Sequence, residues 1–154
     1  MVPPNWQHPK EKRINYFNGI TEESFLPMHD RPYIEAISEW IDGHQRWEAG
    51  THESLSSKYA EGLRYYAEYA GNPPSVEHYR PDWKPEEMTW FQVYETVSEG
   101  TPVTPPFATR EELVEYLVEN GDFWDQQRRA DGNSGMNCEP WKRVNAEAFV
   151  FGDG

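Results

Sequence analysis

Apolar and aromatic side chains recur at helical spacing in the stretch after residue 30. In chain order they are Ile34, Ile37, Ile41, His44 and Trp47, three or four positions apart. This spacing places side chains on one face of a helix. Asp30 is a suitable N-cap, Pro32 fits the first turn and Gly50 is a common stop signal. The pattern predicts a helix from about Asp30 to Ala49 with these side chains facing a core.

The same spacing predicts two further helices in the middle of the chain. The first would begin at Thr51 and end at the sequence GNPP, residues 71–74. Its buried stripe would consist of Leu55, Tyr59, Leu63, Tyr66 and Ala70. A connection this short predicts an antiparallel hairpin with the preceding helix. The second would begin at Pro85, followed by two glutamates, and end at Gly100.

The sequence TREE, Thr109 to Glu112, has the pattern of a capping box at the start of a helix. Leu113 and Leu117 supply its buried stripe, and the NG dipeptide at residues 120–121 predicts its end. A short helix over residues 122–130 and a last helix over residues 140–150 are predicted after it.

Prolines and glycines separate these helices. Residues 1–30 contain four prolines and predict an extended arm with one short strand near Ile14 to Phe17. The sequence TPVTPP at residues 101–106 predicts a polyproline-type connector between two helices, with recognition of its Pro-x-x-Pro by an SH3-like groove as the alternative. The predicted fold is mainly α: one compact domain, residues 1–154, of five or six helices with Pro-rich connectors, its arm packed on a helical body at residues 31–150.

Composition indicates a core built from aromatic residues. Only 36% of residues are apolar, but 15% are Trp, Tyr or Phe. A buried aromatic side chain removes about 150–250 Å² from water, so few Leu or Ile are needed. Trp and Tyr also suit protein interfaces, so composition leaves both uses open.

The net charge of −13, from 27 acidic and 14 basic residues, disfavours direct binding to nucleic acid or to an anionic membrane. It favours a protein partner of basic character, with solubility as the alternative explanation. One cysteine, Cys138, excludes an internal disulfide. The chain has no long apolar segment, so a cytoplasmic location is expected.

No residue pattern predicts a catalytic residue, a cofactor or a metal site. The alternative is a metal site formed by His44 and His52 with Glu48 or Glu53 nearby. A second alternative is a reactive thiol at Cys138, with Arg143 nearby in the sequence. Three pairs of adjacent glutamates, at positions 22–23, 86–87 and 111–112, each fall where a helix start favours negative charge. We therefore expect that the chain is not an enzyme and that it binds no cofactor.

One group of residues resembles the mixture found at protein interfaces. It consists of Asp82, Trp83, Glu86, Glu87, Trp90, Tyr94 and Glu95. The alternative is that these residues are core plus a solvated face. We take them as the candidate partner surface.

Several longer motifs are similar to those of a protein family encoded by tailed bacteriophages and prophages. They include NWQHP at residues 5–9, YRPDW at 79–83, YETVSEGTPVTPPF at 94–107 and NGDFWDQ at 120–126. The likeness covers most of the chain but not the segment RADGNSGMNCEPWKR, residues 129–143. It implies a phage or prophage origin and no more, and it carries no activity, cofactor or catalytic residue to this chain. If the chain is phage-encoded, the expected cytoplasmic location is that of the bacterial host.

The sequence supports three hypotheses on function. The first is a small acidic protein that acts by protein–protein binding, in its narrower form as an inhibitor or decoy for a nucleic-acid-binding host defence protein. The second is a virion or assembly component that oligomerises through its aromatic surface. The third is an enzyme or metal protein, which requires His44, His52 or Cys138 to converge with carboxylates.

Overall fold

The computed structural model describes residues 1–95, 100–132 and 139–152. Contacts between Cα atoms divide the chain into two compact units. We call Met28–Asp82 the central unit and Met1–Pro27 with Trp83–Gly154 the terminal unit. The single domain of residues 1–154 stays a prediction, and Cys138 lies outside the described residues.

The terminal unit contains β1 (Lys10–Ile14), β2 (Thr21–Phe25), a 3₁₀ turn at Pro85–Glu87, β5 (Tyr94–Glu95), β6 (Thr101–Pro102), α3 (Arg110–Asn120), α4 (Phe123–Ala130) and α5 (Arg143–Phe151). The central unit contains β3 (His29–Pro32), α1 (Tyr33–Glu48), 3₁₀ turns at Glu53–Ser56, Lys58–Ala60 and Val76–His78, α2 (Tyr66–Ala70) and β4 (Tyr79–Arg80). Strands pair as β1 with β2 and β5 with β6, both antiparallel, and as β3 with β4 in parallel.

The prediction of a mainly α fold with five or six helices is wrong, because the described residues form a mixed α/β structure. They contain three two-stranded sheets and four helices of eight residues or more, α1, α3, α4 and α5, with α2 a five-residue turn. None of the helices in the described ranges is long and apolar enough to span a bilayer.

The helix predicted over residues 51–70 is replaced by 3₁₀ turns and the short α2. Serine hydroxyls bond to nearby carbonyls here, Ser56 to Glu53 and Ser57 to Ser54, which competes with α-helical hydrogen bonding. Gly62 then takes a φ of +78°, outside the helical region. Local hydrogen bonding therefore outweighs the apolar spacing.

Of the helix predicted from Pro85 to Gly100, the described residues contain a single turn, Pro85–Glu87, and residues 96–99 lie outside them. Residues 90–95 pair with other segments of the chain as extended backbone. Trp90 pairs with Val2, and Phe91 with Phe107, through reciprocal backbone hydrogen bonds of 2.8–2.9 Å. The sequence TWFQVY is rich in aromatic and β-branched residues, which favour strands when partners are present.

The sequence TPVTPP is the pairing partner of this extended segment and does not connect two helices. Tyr94 lies opposite Pro102, and the Val103 amide donates to the Val93 carbonyl at 2.8 Å. Pro102 is buried, so the first proline of the Pro-x-x-Pro sequence faces the interior. Both the connector and the SH3-ligand interpretations are therefore corrected.

The N-terminal arm contains a hairpin, β1–β2, where one strand near Ile14 to Phe17 was predicted. Residues 15–20 form its turn: the Asn15 carboxamide accepts from the Phe17 amide at 2.9 Å, and Gly19 has a φ of +70°. The turn leaves Tyr16 and Phe17 fully exposed, at 96% and 103%.

The capping box at Thr109 is confirmed. The Thr109 hydroxyl accepts from the Glu112 amide, and the Glu112 carboxylate accepts from the Thr109 amide, both at 3.1 Å. The helix that follows, α3, packs on α5 around Leu117 and Ala146, which are fully buried. The short helix α4 and the final helix α5 are confirmed as well.

In the central unit, α1 is confirmed, and its predicted buried face is correct at Trp47 but wrong at two isoleucines. Ile34 and Ile41 are 70% and 46% exposed, and Ala36 and Gly43 are buried instead. The reason is Tyr66, whose ring packs directly on Gly43. Two indole N–H groups fix the irregular segment against α1: Trp47 donates to the Arg64 carbonyl at 3.1 Å, and Trp40 to the Gly71 carbonyl at 3.0 Å.

The contact between Gly43 and Tyr66 generates a stability prediction. A Cβ at Gly43 would overlap the Tyr66 hydroxyl and ring. Overpacking costs about 1–3 kcal/mol, and this severe overlap favours the upper part of that range, about 2–3 kcal/mol. Alanine gains about 1 kcal/mol over glycine in a helix, so we expect Gly43→Ala to lower the free energy of unfolding in urea by about 1–2 kcal/mol. Ser38→Ala, on the exposed side of the same helix, should not lower the free energy of unfolding. An unchanged or higher urea midpoint for Gly43→Ala would contradict the packing described.

Candidate protein-binding surface

The structure divides the predicted partner surface into three parts. Asp82 belongs to the central unit. Trp90, Tyr94 and Glu95 are half-buried in the extended segment of the terminal unit. Trp83, Glu86 and Glu87 line an open cleft of the same unit. The interpretation as core plus solvated face therefore applies to the second part, and the third borders the cleft.

Glu95 is occupied by contacts within the terminal unit. Its carboxylate accepts from the Trp124 indole N–H at 2.8 Å and from the Thr101 hydroxyl at 3.0 Å. It also pairs with Thr101 across β5 and β6. This carboxylate therefore holds α4 and the extended segment together, and we remove it from the candidate surface.

The Tyr94 hydroxyl is the meeting point of three side chains from two distant segments. The Trp6 indole N–H donates to it at 3.1 Å, and the His8 Nδ1 and Gln92 Oε1 atoms each lie 3.1 Å from it. The Gln92 amide is oriented by its own donation to the Thr104 carbonyl at 2.8 Å. Through these bonds, Tyr94 fixes residues 6–8 on the extended segment.

His8 is buried between Tyr94 and β2. Its Nε2 lies 2.6 Å from the Leu26 carbonyl, which can only accept, so Nε2 carries the proton in the neutral ring. Nδ1 and the Gln92 Oε1 atom then both lie 3.1 Å from the Tyr94 oxygen and share its one hydroxyl proton as acceptors. Phe25 contacts the ring edge-on at 5.7 Å between centroids. Burial lowers the pKa of His8 below 6.5, more than the Leu26 carbonyl raises it.

The cleft lies between residues 3–7 on one side and Trp83, Glu86, Glu87 and Thr89 on the other, with a volume of about 620 Å³. We call it the Trp6–Trp83 cleft. The two indole rings meet edge to face, 4.6 Å between centroids with an interplanar angle of 78°. The cleft therefore presents an aromatic corner beside two carboxylates.

The backbone on both sides of the cleft is held by local hydrogen bonds. Asn5 takes a φ of +56°, which Asn tolerates better than most residues, and the Trp6 amide donates to the Pro3 carbonyl at 3.2 Å. On the other side, one oxygen of Glu87 accepts from the Lys84 amide at 2.8 Å. These bonds fix the backbone that carries the two indole rings.

The sequence interpretation missed Trp6 and His8 as parts of this site. Both lie in the motif NWQHP, which was assigned to an extended arm. The feature of the sequence that could have revealed them is a Trp and a His with prolines on either side. Each of these rings carries a polar N–H group, and such rings need hydrogen-bond partners when they are buried.

The histidines weighed for a metal have other contacts in the central unit. His52 is buried and its Nδ1 accepts from the Ser54 amide at 3.1 Å, whereas His44 stacks on Trp40 at 5.3 Å between centroids. Tyr66 contacts both imidazole rings. Within the described ranges, no three His, Cys, Asp or Glu side chains are grouped as metal ligands.

The adjacent glutamate pairs have different environments. Glu22 and Glu23 lie on β2 opposite Arg13 and Lys12, and Glu112 caps α3. Glu86 and Glu87 are the pair that borders a cleft, and both are exposed. They are therefore the carboxylates best placed to meet a partner.

Comparisons with known proteins give one partial similarity. No family model matches the chain, and no solved structure matches it. The sequence is 34% identical over 84 residues to general stress protein A of Bacillus subtilis. The match covers 51% of this chain and 29% of that protein, so the chain spans less than a third of the length of the curated relative it matches. The phage or prophage origin stays a prediction.

The burial of His8 predicts a pH dependence of stability. Because its pKa is lower in the folded chain, the unfolded chain binds more protons near pH 6.5. The stability from neutral His8 is therefore fully present above pH 6.5 and is lost as pH falls toward the lower folded pKa. The urea midpoint of the unaltered chain should fall as pH is lowered below 6.5, and we expect His8→Gln to remove the part of this fall that comes from His8. His29→Gln, at an exposed histidine, should leave that part in place. A His8 titration midpoint above 6.5 by NMR would contradict the assignment.

Proposed function

We propose that this chain is a non-catalytic binding protein that holds a basic segment of another protein on the Trp6–Trp83 cleft. The observation that carries the proposal is the open aromatic corner beside Glu86 and Glu87, fixed through Tyr94. Trp is enriched among the residues that dominate binding energy at interfaces. The net charge of −13 adds attraction for a basic partner. A cytoplasmic location is part of the same proposal.

The narrower form, a decoy for a nucleic-acid-binding protein, receives less support. A duplex mimic needs closely spaced carboxylates along one face, about one charge per 1.7 Å. Several carboxylates instead pair within the chain: Glu115 with Arg143, Asp42 with Arg46, and Glu39 with Arg31, at 2.6–3.0 Å. We therefore propose binding of a basic protein segment in general.

One observation favours the assembly alternative. The hairpin turn exposes Tyr16 and Phe17 completely, with Ile14 and Ile20 about 60% exposed beside them. Rigid exposed aromatic residues are suited to an interface between copies of a chain. Sedimentation over a wide concentration range separates the alternatives: a symmetric oligomer that Phe17→Ser disrupts would support assembly.

The main proposal is tested by comparing partner capture between variants. Trp83→Ala and the double variant Glu86→Gln/Glu87→Gln should each lose, by about tenfold or more, the partner that the unaltered chain retains from a bacterial lysate. Glu119→Gln removes one exposed carboxylate from α3, away from the cleft, and is the control. Higher salt should weaken retention of a basic partner. Capture that is equal for all variants would contradict the proposal.

A further inference from the structure

We infer that the Trp6–Trp83 cleft recognises the guanidinium group of an arginine side chain. The inference rests on the proposed function and specifies which group of the basic partner enters the cleft. It follows from the shape of the aromatic corner, the position of the carboxylates and the size of the space between them.

The two indole rings provide surfaces for a flat cation. They stand at 78° to each other, so a planar group stacked on one ring turns its own edge toward the other. Trp6 cannot turn away easily, because its N–H is bonded to Tyr94 and its ring contacts His8 edge-on. Guanidinium groups stack on aromatic faces, and Trp is the strongest of these partners.

The carboxylates favour a cation that also donates hydrogen bonds. Glu87 uses one oxygen to accept from the Lys84 amide, and its other oxygen is not needed for that bond. Glu86 precedes it on the same exposed 3₁₀ turn. Arginine presents five N–H donors in a rigid fork, so it can stack on the indole and pair with a carboxylate at once.

The size of the cleft and the rest of the chain agree with this guest. A volume of about 620 Å³ exceeds that of one side chain and leaves room for the backbone on either side of it. The same stacking occurs within the terminal unit, where the Arg110 guanidinium carbon lies 5.3 Å from the centre of the Phe91 ring. Lysine carries a compact, strongly hydrated charge and gains less from a flat ring.

The direct test is a titration of the full chain, labelled with ¹⁵N, against small probes. N-acetyl-arginine amide, N-acetyl-lysine amide and N-acetyl-citrulline amide share a backbone, and citrulline is nearly isosteric with arginine but neutral. The indole N–H signals of Trp6 and Trp83 report binding. We expect saturable shifts with arginine at millimolar concentration and at least about fivefold weaker binding of citrulline. Equal binding of arginine and citrulline, or no saturable shift with arginine, overturns the inference.

Variants locate the binding. Trp83→Phe keeps an aromatic ring and should weaken arginine binding by about two- to fivefold, because Phe is the poorer cation–π partner. Glu86→Gln/Glu87→Gln should weaken it by a similar factor and reduce its salt dependence. Gln at position 87 keeps an oxygen for the Lys84 amide, so the turn is preserved. Glu119→Gln should change neither the affinity for arginine amide nor its salt dependence. An equal loss of affinity in this control would overturn the inference.

The failures of the two proposals are distinguishable. If partner capture depends on Trp83 but arginine amide does not bind, the inference is wrong and the proposed function stands. If arginine amide binds at the cleft but no captured protein depends on Trp83, the inference stands and the proposed function is wrong.

Discussion

The hydrogen bond donated by a tryptophan indole is the interaction on which the rest of this structure depends. Among the described residues, five such bonds join segments distant in sequence, from Trp6, Trp40, Trp47, Trp124 and Trp141. They reach between 16 and 88 residues along the chain. Each anchors a large apolar ring and at the same time satisfies a polar group, so irregular backbone is fixed without long helices or strands. The acceptors are carbonyls, carboxylates and the Tyr94 hydroxyl.

This arrangement explains how a chain with few aliphatic residues builds a core. The aliphatic cluster around Leu117 is small, and Phe91, Phe107 and Trp141 pack against it together with three valines. In the central unit the buried cluster consists of Trp47, Ala60 and Tyr66. The candidate site uses the same contact: the bond from Trp6 to Tyr94 places one indole of the aromatic corner, and Trp83 supplies the other. The hydrogen bond donated by an indole N–H therefore supports both the fold and the candidate site.

The sequence predicted the elements that local signals determine. The capping box at Thr109 predicted α3, and the apolar spacing after Pro32 predicted α1. Both signals depend on residues only a few positions apart. The helix expected after Pro85 failed because Val2 and residues 101–107 supply strand partners, which no local pattern shows. Of the candidate site, Trp83 and its glutamates were found from composition. Trp6 was not, because its contact with them exists only in the folded chain.

Hydrogen exchange of the Trp6 indole N–H tests the central claim most directly. The bond from Trp6 to Tyr94 should make this proton exchange much more slowly than a free indole, and Tyr94→Phe should remove that protection while the fold persists. Unprotected exchange of the Trp6 indole in the unaltered chain would show that this bond does not hold residues 6–8 in place, and the account of the cleft would fail with it.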